Sequence, residues 1–256
     1  MKNFTPKTFY EKLEDSKLDI IHRRLLKLTM GVGRTCPNPI VYGETNELPL
    51  LFKGYKHMLN YWVHLTELPD DNPAKIALNE NITLRTNWIK TIEKLLITFD
   101  LIEVTRDMKN FSKHASTKID KYYQRHWDAD IAAEDRSKLE FFKLIKTKPA
   151  FADHLRLEKF KLRQAISKIR CSNHVLEIEK GRHHPVHIER KDRLCKACKT
   201  LVEDEKHFLI DCHLYDNIRN SLNLDFTDIK TLMNSDQKIL GTFICQAMEL
   251  RETAIS

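Results

Sequence analysis

Glycine is scarce in this sequence. The chain has 6 glycines in 256 residues, where average usage of about 7% would give about 18. Glycine-rich phosphate loops and turn-dense β-barrels or sandwiches need more glycine than this. The chain also lacks an uncharged apolar run long enough for a membrane helix, and acidic side chains interrupt the N-terminal region where a signal peptide would need an apolar core. We therefore expect a mainly α-helical protein inside the cell, in the nucleus or the cytoplasm, and not a secreted one.

Positive charge is concentrated in the middle of the chain. The whole sequence has 43 Lys and Arg against 36 Asp and Glu, a net charge of +7. Residues 105–200 alone hold 24 basic and 13 acidic side chains, whereas residues 201–256 hold 5 and 10. A net charge of +11 in one segment is the electrostatic pattern of a surface that binds a polyanion.

Apolar residues spaced three and four apart predict a series of amphipathic helices. Three prolines between residues 34 and 50 exclude a helix interior there. The most regular helix follows Pro149 and has one apolar face and one basic face. The predicted helices cover residues 9–30, 51–68, 84–98, 112–127, 135–146, 150–171 and 228–251.

The most specific motif is a Cys-x2-Cys-x8-His-x4-Cys pattern formed by Cys195, Cys198, His207 and Cys212. A Cys-x2-Cys turn presents two thiolates to one ion, and a His and a Cys on a helical turn can complete a tetrahedral shell. Three sulfur atoms and one imidazole suit Zn²⁺, and four protein ligands leave no open position for catalysis. The sequence therefore predicts a small CCHC zinc knuckle with a structural Zn²⁺ as cofactor.

Other interpretations of this segment stay open. The cysteines could be ordinary buried residues, or a redox Cys-x-x-Cys pair, which would need a thioredoxin-like strand before it and a helix after it. His213 lies beside Cys212 and could replace His207, although His207 has the more regular spacing. A second histidine group has no cysteine or carboxylate at matching spacing, so we expect a solvated basic loop at His183, His184 and His187.

Enzymatic motifs are missing. The sequence has no Walker lysine loop, no Gly-x-Ser-x-Gly and no His-Glu-x-x-His. A group of acids could in principle bind Mg²⁺, but acids clustered in a polar connection are usually solvated. That group is Asp128, Asp130, Glu134 and Asp135. We therefore expect a protein without catalytic activity.

Three segments follow one another in an order known from one protein family. Residues 31–50 contain GVGRTCPN, VYGE and LPL, residues 61–65 read YWVHL, and residues 169–182 read IRCSNHVLEIEKGR before the Cys-His motif. In this order they resemble the region after the polymerase core of non-LTR (LINE-type) retrotransposon reverse transcriptases. The resemblance covers most of residues 25–215. It implies the thumb-proximal and zinc-knuckle regions, which hold element RNA and target DNA in members of the family.

The resemblance does not extend to catalysis. Polymerases of this family carry an aromatic-x-Asp-Asp motif, whereas the adjacent aspartates here, Asp70 and Asp71, follow Leu68-Pro69 in a proline loop. The chain therefore resembles a detached or truncated tail, or a domesticated derivative, that lacks the polymerase core and the endonuclease. A separately encoded polymerase core is then a candidate partner.

Charge and resemblance together predict binding of RNA or single-stranded DNA through phosphate contacts. The candidate contacts are the basic residues of the helix before the knuckle and of the knuckle itself: Arg156, Lys159, Arg163, Lys168, Arg170, Arg182, Arg190, Lys191, Arg193, Lys196 and Lys199. Three aromatic residues, Tyr122, Tyr123 and Trp127, could stack on bases, but their helical spacing favours packing in the core.

The predicted organisation has four consecutive regions. These are a helical thumb-like or linker region at 1–130, a basic helical region at 131–191, the zinc knuckle at 192–215 and a C-terminal helix within 216–256. The alternative to nucleic-acid binding is a structural or protein-interaction module, in which zinc only staples helices together.

Overall fold

The protein is mainly α-helical, as the sequence predicted. The computed structural model describes residues 17–106, 108–133, 137–186 and 188–255. In these ranges the chain forms α-helices, short 3₁₀ helices and loops, without a β-strand, and a single antiparallel bridge joins Leu194 and Val202. None of the described helices is long and apolar enough to cross a membrane. The α-helices are α1 Lys17–Met30, α2 Asn38–Thr45, α3 Leu50–Glu67, α4 Pro73–Thr83, α5 Asn87–Thr98, α6 Met108–Ala132, α7 Glu140–Ile145, α8 Phe160–Arg170, α9 Glu177–Lys180, α10 Asp216–Asn220, α11 Ile229–Met233 and α12 Gln237–Ile255.

The chain divides into two compact units. Among the described residues, the first unit comprises residues 17–22 and 48–129, and the second comprises residues 23–47 and 130–255. In this division residues 23–47 group with the C-terminal half of the chain. The four consecutive regions expected from the sequence stay a prediction.

The first unit has an aromatic core. Tyr123 and Trp127 on α6 are buried, and the Tyr122 ring lies edge-on against Phe99 with the ring centroids 5.1 Å apart. Phe52 on α3 packs against the Tyr122 and Tyr123 rings at 6.2 and 5.5 Å. Core packing of these aromatic residues, which their spacing favoured, is confirmed, and they do not form an exposed platform for bases.

The second unit is organised around α8 and α12, which pack against each other. Ile166 and Ile169 on α8 are fully buried with Leu240 and Phe243 of α12. The close approach depends on Gly241, because a Cβ at that position would lie 2.9 Å from Leu162 Cβ. The apolar face predicted for residues 150–171 is therefore a core face.

The same helix begins later than predicted. Residues 150–152 are extended, because the backbone N–H groups of Ala150 and Ala152 donate to the carbonyl oxygens of Gly43 and Glu44 at 3.1 and 2.8 Å. A 3₁₀ helix, Asp153–Arg156, follows, and α8 starts only at Phe160. The apolar spacing of this segment was not sufficient to place the helix start, because backbone pairing with a segment distant in the sequence competes with helix formation.

Two other helix predictions were wrong. The prolines between residues 34 and 50 do not exclude a helix, because Pro37 and Pro39 stand at the N-cap and in the first turn of α2, where a missing N–H costs nothing. The C-terminal helix is interrupted before Gln237, since the Asp236 carboxylate accepts hydrogen bonds from the N–H groups of residues 238 and 239, both at 2.9 Å. Residues 9–16 of the first predicted helix lie outside the described residues.

Candidate metal centre

The side chains of the Cys-x2-Cys-x8-His-x4-Cys motif meet in one cluster. The ligand atoms of Cys195, Cys198, His207 and Cys212 all lie within 4.8 Å of one another. Cys195 Sγ is 4.0 Å from Cys212 Sγ, and Cys198 Sγ is 3.4 Å from His207 Nε2. Cys198 is half-buried and the other three side chains are buried. The structure thus brings the predicted ligands together, and the cluster can hold a metal ion.

A closed loop positions the first two thiols. The Cys195 N–H donates to the Leu201 carbonyl, and the Lys199 N–H donates to the Cys195 carbonyl, both at 2.8 Å. Lys199 has a left-handed backbone with φ of 59°, which reverses the chain directly after Cys198. The backbone bridge between Leu194 and Val202 closes the base of the loop.

A wide helical turn positions the other two ligands. The Asp204 carboxylate caps the turn by accepting from the His207 N–H at 2.9 Å. Residues 207–211 form a π-helical turn, and the Cys212 N–H donates to the His207 carbonyl at 2.8 Å. In an α-helix, side chains five residues apart point about 140° away from each other. The wider turn returns Cys212 to the face that carries His207, as π-turns at functional sites often do.

Two of the six distances between ligand atoms are close to those of a tetrahedral zinc shell. With Zn–S of about 2.3 Å and Zn–N of about 2.0 Å, the edges of the tetrahedron are about 3.8 Å between sulfurs and about 3.6 Å between sulfur and nitrogen. The 4.0 Å sulfur pair and the 3.4 Å sulfur–nitrogen pair are both close to these values. The chemistry of the donor set, three thiols and one imidazole, fits the same ion.

The competing histidines and acids lie elsewhere. His213 is 90% exposed at its side chain, and its Nδ1 lies 3.1 Å from Asp216 Oδ2 instead of facing the cysteines. His183 and His184 are exposed, while His187 lies outside the described residues. Among the acids considered for Mg²⁺, Asp128 is exposed and Asp130 half-buried, and neither belongs to a metal-binding group within the described chain; Glu134 and Asp135 lie outside it.

The thiols differ in acidity. Burial raises the pKa of Cys195 to about 12 and also raises the pKa of Cys212. Burial would also raise the pKa of Cys198, but hydrogen bonds from the Thr200 hydroxyl at 3.1 Å and from the backbone of Thr200 and Leu201 outweigh it and lower this pKa to about 6. Cys198 is therefore the most acidic of the three thiols, and metal binding at Cys195 and Cys212 must release protons.

Buried charges surround the cluster, and no sequence pattern indicated them. Glu203 Oε1 lies 3.8 Å from Cys195 Sγ. The Glu203 carboxylate accepts two hydrogen bonds of 2.6 Å from the Arg251 guanidinium on α12. At the other end of the loop, Arg219 donates to the Cys212 carbonyl and to Asp216 Oδ1, the latter at 2.7 Å. These contacts join the metal loop to the helices that follow it.

Two of the predicted phosphate contacts are interior residues. Arg170 is 3% exposed, and its guanidinium donates two hydrogen bonds to the Glu44 carboxylate. Arg193 is 9% exposed and donates to the carbonyl oxygens of Ile178 and Ile188 at 2.8 to 3.1 Å. Their predicted role as surface contacts is therefore corrected: a buried guanidinium with these partners is part of the fold.

The other predicted contacts fall into two groups. Those with a partner are Arg156 with Asp153, Arg163 with the Leu157 carbonyl, Arg182 with Glu179, Arg190 with Glu140, and Lys196 with Glu177. The second group has no acidic partner within the described part of the chain and consists of Lys159, Lys168, Lys191 and Lys199. Lys168 is half-buried and the other three are exposed.

Comparison with known proteins identifies no relative of this chain. The chain matches no protein-family model, no curated protein and no solved structure. The interpretation of the cluster therefore depends on its own residues and distances.

Proposed function

We propose that Cys195, Cys198, His207 and Cys212 bind one structural Zn²⁺, and that the chain binds RNA or single-stranded DNA without catalysing a reaction of its own. The observation that carries the proposal is the closed set of four ligands, with lysines in and beside the loop that have no acidic partner among the described residues. The segments that resemble the tail of a retrotransposon reverse transcriptase support the same function. A separately encoded polymerase core is a partner of the same proposal.

Zinc would supply structure here and no chemistry. Four protein ligands fill the shell, so no position is left for water or substrate. The ion would cross-link the loop at residues 194–202 with the helical turn at 207–212. Since the loop carries Lys196 and Lys199, fixing it lowers the entropy that these side chains must lose when they bind a phosphate backbone.

Four lysines and two weakly paired residues form the proposed contact set. Lys159, Lys168, Lys191 and Lys199 have no acidic partner in the described structure. Arg190 and Lys196 have ion pairs, but their side chains are 53% and 54% exposed. Exposed pairs of this kind contribute about 1 kcal/mol or less, so a phosphate can replace the carboxylate. Binding of this type is independent of base sequence and depends strongly on salt.

The test is binding of the zinc-quantified protein to a labelled single-stranded RNA across a salt series. A Lys191→Gln/Lys199→Gln variant should bind more weakly at low salt and show a salt slope smaller by about 1 to 2. A matched Lys90→Gln/Lys113→Gln variant, with the same loss of charge on exposed positions of the other unit, should bind like the wild type. Absence of RNA binding, or equal losses in both variants, would refute the nucleic-acid interface.

The zinc assignment is tested separately. Cys198→Ser should lose the bound zinc and weaken RNA binding, because one ligand is removed and the loop is no longer fixed. Cys245→Ser is the matched control, since Cys245 lies on α12 outside the cluster and is also half-buried. One equivalent of zinc and full affinity in Cys198→Ser would refute the assignment.

A structural module is the second candidate function. The Arg251–Glu203 pair ties the metal loop to α12, and five of the predicted contacts have partners within the chain. These observations fit a zinc site that only staples helices together. Bound zinc without any RNA affinity would favour this second function.

A further inference from the structure

A basic pocket lies in the second unit. It is formed by the segment that precedes α8 together with residues of α8, α11 and α12. The pocket has a volume of about 310 Å³ and is lined by the segment 145–154, Arg170, and residues of α11 and the start of α12. This volume is at the lower end of the range of small-molecule pockets, about 300 to 1,000 Å³. The metal ligands do not line it.

The interior end of this pocket has more positive than negative charge. Glu44 is fully buried and accepts two hydrogen bonds from Arg170, and the same carboxylate lies 3.4 Å from Lys146 Nζ. Two cations therefore share one carboxylate. His154 also lines the pocket, and its Nε2 is 2.9 Å from Ser167 Oγ. An imidazole carries no negative charge, so it does not offset the two cations. Because buried charges are normally paired, the excess positive charge favours an anion in the pocket.

The rim adds further cations. Lys148 and Lys230 line the pocket from two different segments and are both exposed. Asp153 is the acidic residue of the lining, but its side chain is 84% exposed and lies 3.6 Å from Arg156 Nε. Three lysines, Lys146, Lys148 and Lys230, thus line the pocket against one aspartate, so a dianionic phosphate inside it meets a net positive charge.

An aromatic ring stands at the same rim. Phe151 lines the pocket and is 45% exposed. The Arg156 guanidinium lies 4.9 Å from the centroid of its ring. An exposed ring beside cationic side chains is the combination that stacks a base while the phosphate is held by charge.

We propose that this pocket binds a phosphorylated nucleoside, with the phosphate at Lys146, Lys148 and Lys230 and the base against Phe151. The shared chemistry is that of a nucleotide, whether it is free or part of a strand. The inference is independent of the zinc cluster and of the proposed RNA binding, since a free nucleotide satisfies it equally well.

The experiment is calorimetric titration of the full-length, zinc-loaded protein with AMP, adenosine and inorganic phosphate. AMP should bind more tightly than either adenosine or phosphate alone. Lys148→Gln/Lys230→Gln should weaken AMP binding about tenfold, through loss of two charge-assisted contacts at exposed positions. The control Lys90→Gln/Lys113→Gln should leave it unchanged. Phe151→Leu should weaken AMP binding but not phosphate binding.

A 5′-phosphorylated RNA in the same titrations separates the two sources of the nucleotide. If Lys148→Gln/Lys230→Gln, the pocket variant, loses binding of both AMP and RNA, the site accepts free nucleotides and strands. If the wild type does not bind AMP and the pocket variant loses RNA binding, the site accepts only a strand. The inference is overturned if AMP binds no better than adenosine and the pocket variant binds RNA like the wild type. That result leaves the zinc and RNA tests of the proposed function untouched.

Discussion

Arg251, on the C-terminal helix, forms two hydrogen bonds of 2.6 Å with Glu203, a carboxylate that lies 3.8 Å from the sulfur of Cys195. Arg251 is 1% exposed and Glu203 is equally buried. A zinc ion with three thiolate ligands carries a net charge of −1, so a buried carboxylate next to it is unfavourable without a cation. Arg251 supplies that cation from a part of the chain far from the motif.

We predict that Arg251→Met weakens both folding and metal binding. The substitution leaves Glu203 buried and unpaired, which costs about 3 to 5 kcal/mol, and the loss of an outer partner should weaken zinc binding about 10- to 100-fold. Urea unfolding and competition with a chromophoric chelator measure the two effects. Arg85→Met is the control, because its pair with Glu93 is exposed and should contribute about 1 kcal/mol or less. Equal effects of the two substitutions would contradict this role of Arg251.

Removal of the metal should lower the thermal stability of the second unit. At a free zinc concentration of about 100 times Kd, binding stabilises the folded state by about 2.7 kcal/mol. For a chain of this size, that corresponds to about 5 to 10 °C in Tm. Treatment with a chelator should therefore lower the Tm by this amount and increase the reactivity of Cys195, Cys198 and Cys212 toward a thiol reagent. Cys198→Ser should show no further decrease on chelation; an unchanged Tm in the wild-type protein would argue against a structural metal.

The metal ligands could be predicted from the sequence because their geometry is local. Closely spaced chain segments form the cluster, and the spacing of the motif favoured Cys195, Cys198, His207 and Cys212, with His213 as the alternative to His207. The burial of Arg170 and Arg193 could not be predicted from the sequence. Arg170 pairs with a carboxylate 126 residues away, and Arg193 donates to backbone carbonyl oxygens. A basic helix face looks the same in the sequence whether its arginines point into solvent or into the core.

The existence of the longest helices was predictable, whereas α2, α4 and the limits of most helices were not. Apolar periodicity correctly indicated α3 and α5, where the packing face runs through the whole element. It failed at residues 150–159, where backbone pairing with Gly43 and Glu44 keeps residues 150–152 extended and a 3₁₀ helix, Asp153–Arg156, precedes α8. It also assigned an apolar face to α1, whose Leu18, Ile21 and Leu28 are 60 to 70% exposed. Periodicity shows that a face is apolar but does not show what covers it.

Removal of the Glu44 carboxylate should destabilise the second unit strongly. Glu44→Gln leaves the buried Arg170 without its counter-charge, so the free energy of unfolding should decrease by about 3 to 5 kcal/mol. A Glu44→Gln/Arg170→Met double variant should lose less than the sum of the two single variants, because it no longer leaves the Arg170 guanidinium buried without a counter-charge. Denaturant unfolding of the three variants gives the coupling energy. Additive losses would show that the two side chains stabilise the protein independently.

The same pair makes a defined contribution to acid unfolding. Burial alone would raise the pKa of Glu44, but the charge and hydrogen bonds of Arg170 outweigh it and lower this pKa below its ordinary value of 4.5. A depressed pKa in the folded state stabilises the protein above the pKa of the unfolded chain, and this stability is lost as the pH falls below about 4.5. Glu44→Gln should therefore be less sensitive to pH in this range, as measured by unfolding at a series of pH values.

His154 should make the protein sensitive to acid at a higher pH. Burial is the main cause that lowers the pKa of His154 from 6.5 to about 3, and it outweighs the attraction of Glu44. In the unfolded chain the imidazole takes up a proton below pH 6.5, whereas in the folded protein it stays neutral until about pH 3. The unfolded state therefore binds more protons in this interval, and the free energy of unfolding decreases by about 1.4 kcal/mol for each pH unit below about 6. His154→Gln should remove this slope between pH 6 and 5, above the range in which Glu44 acts, whereas His57→Gln, at an exposed position, should retain it. An equal slope in the wild type and in His154→Gln would mean that the imidazole is already protonated in the folded protein at pH 5.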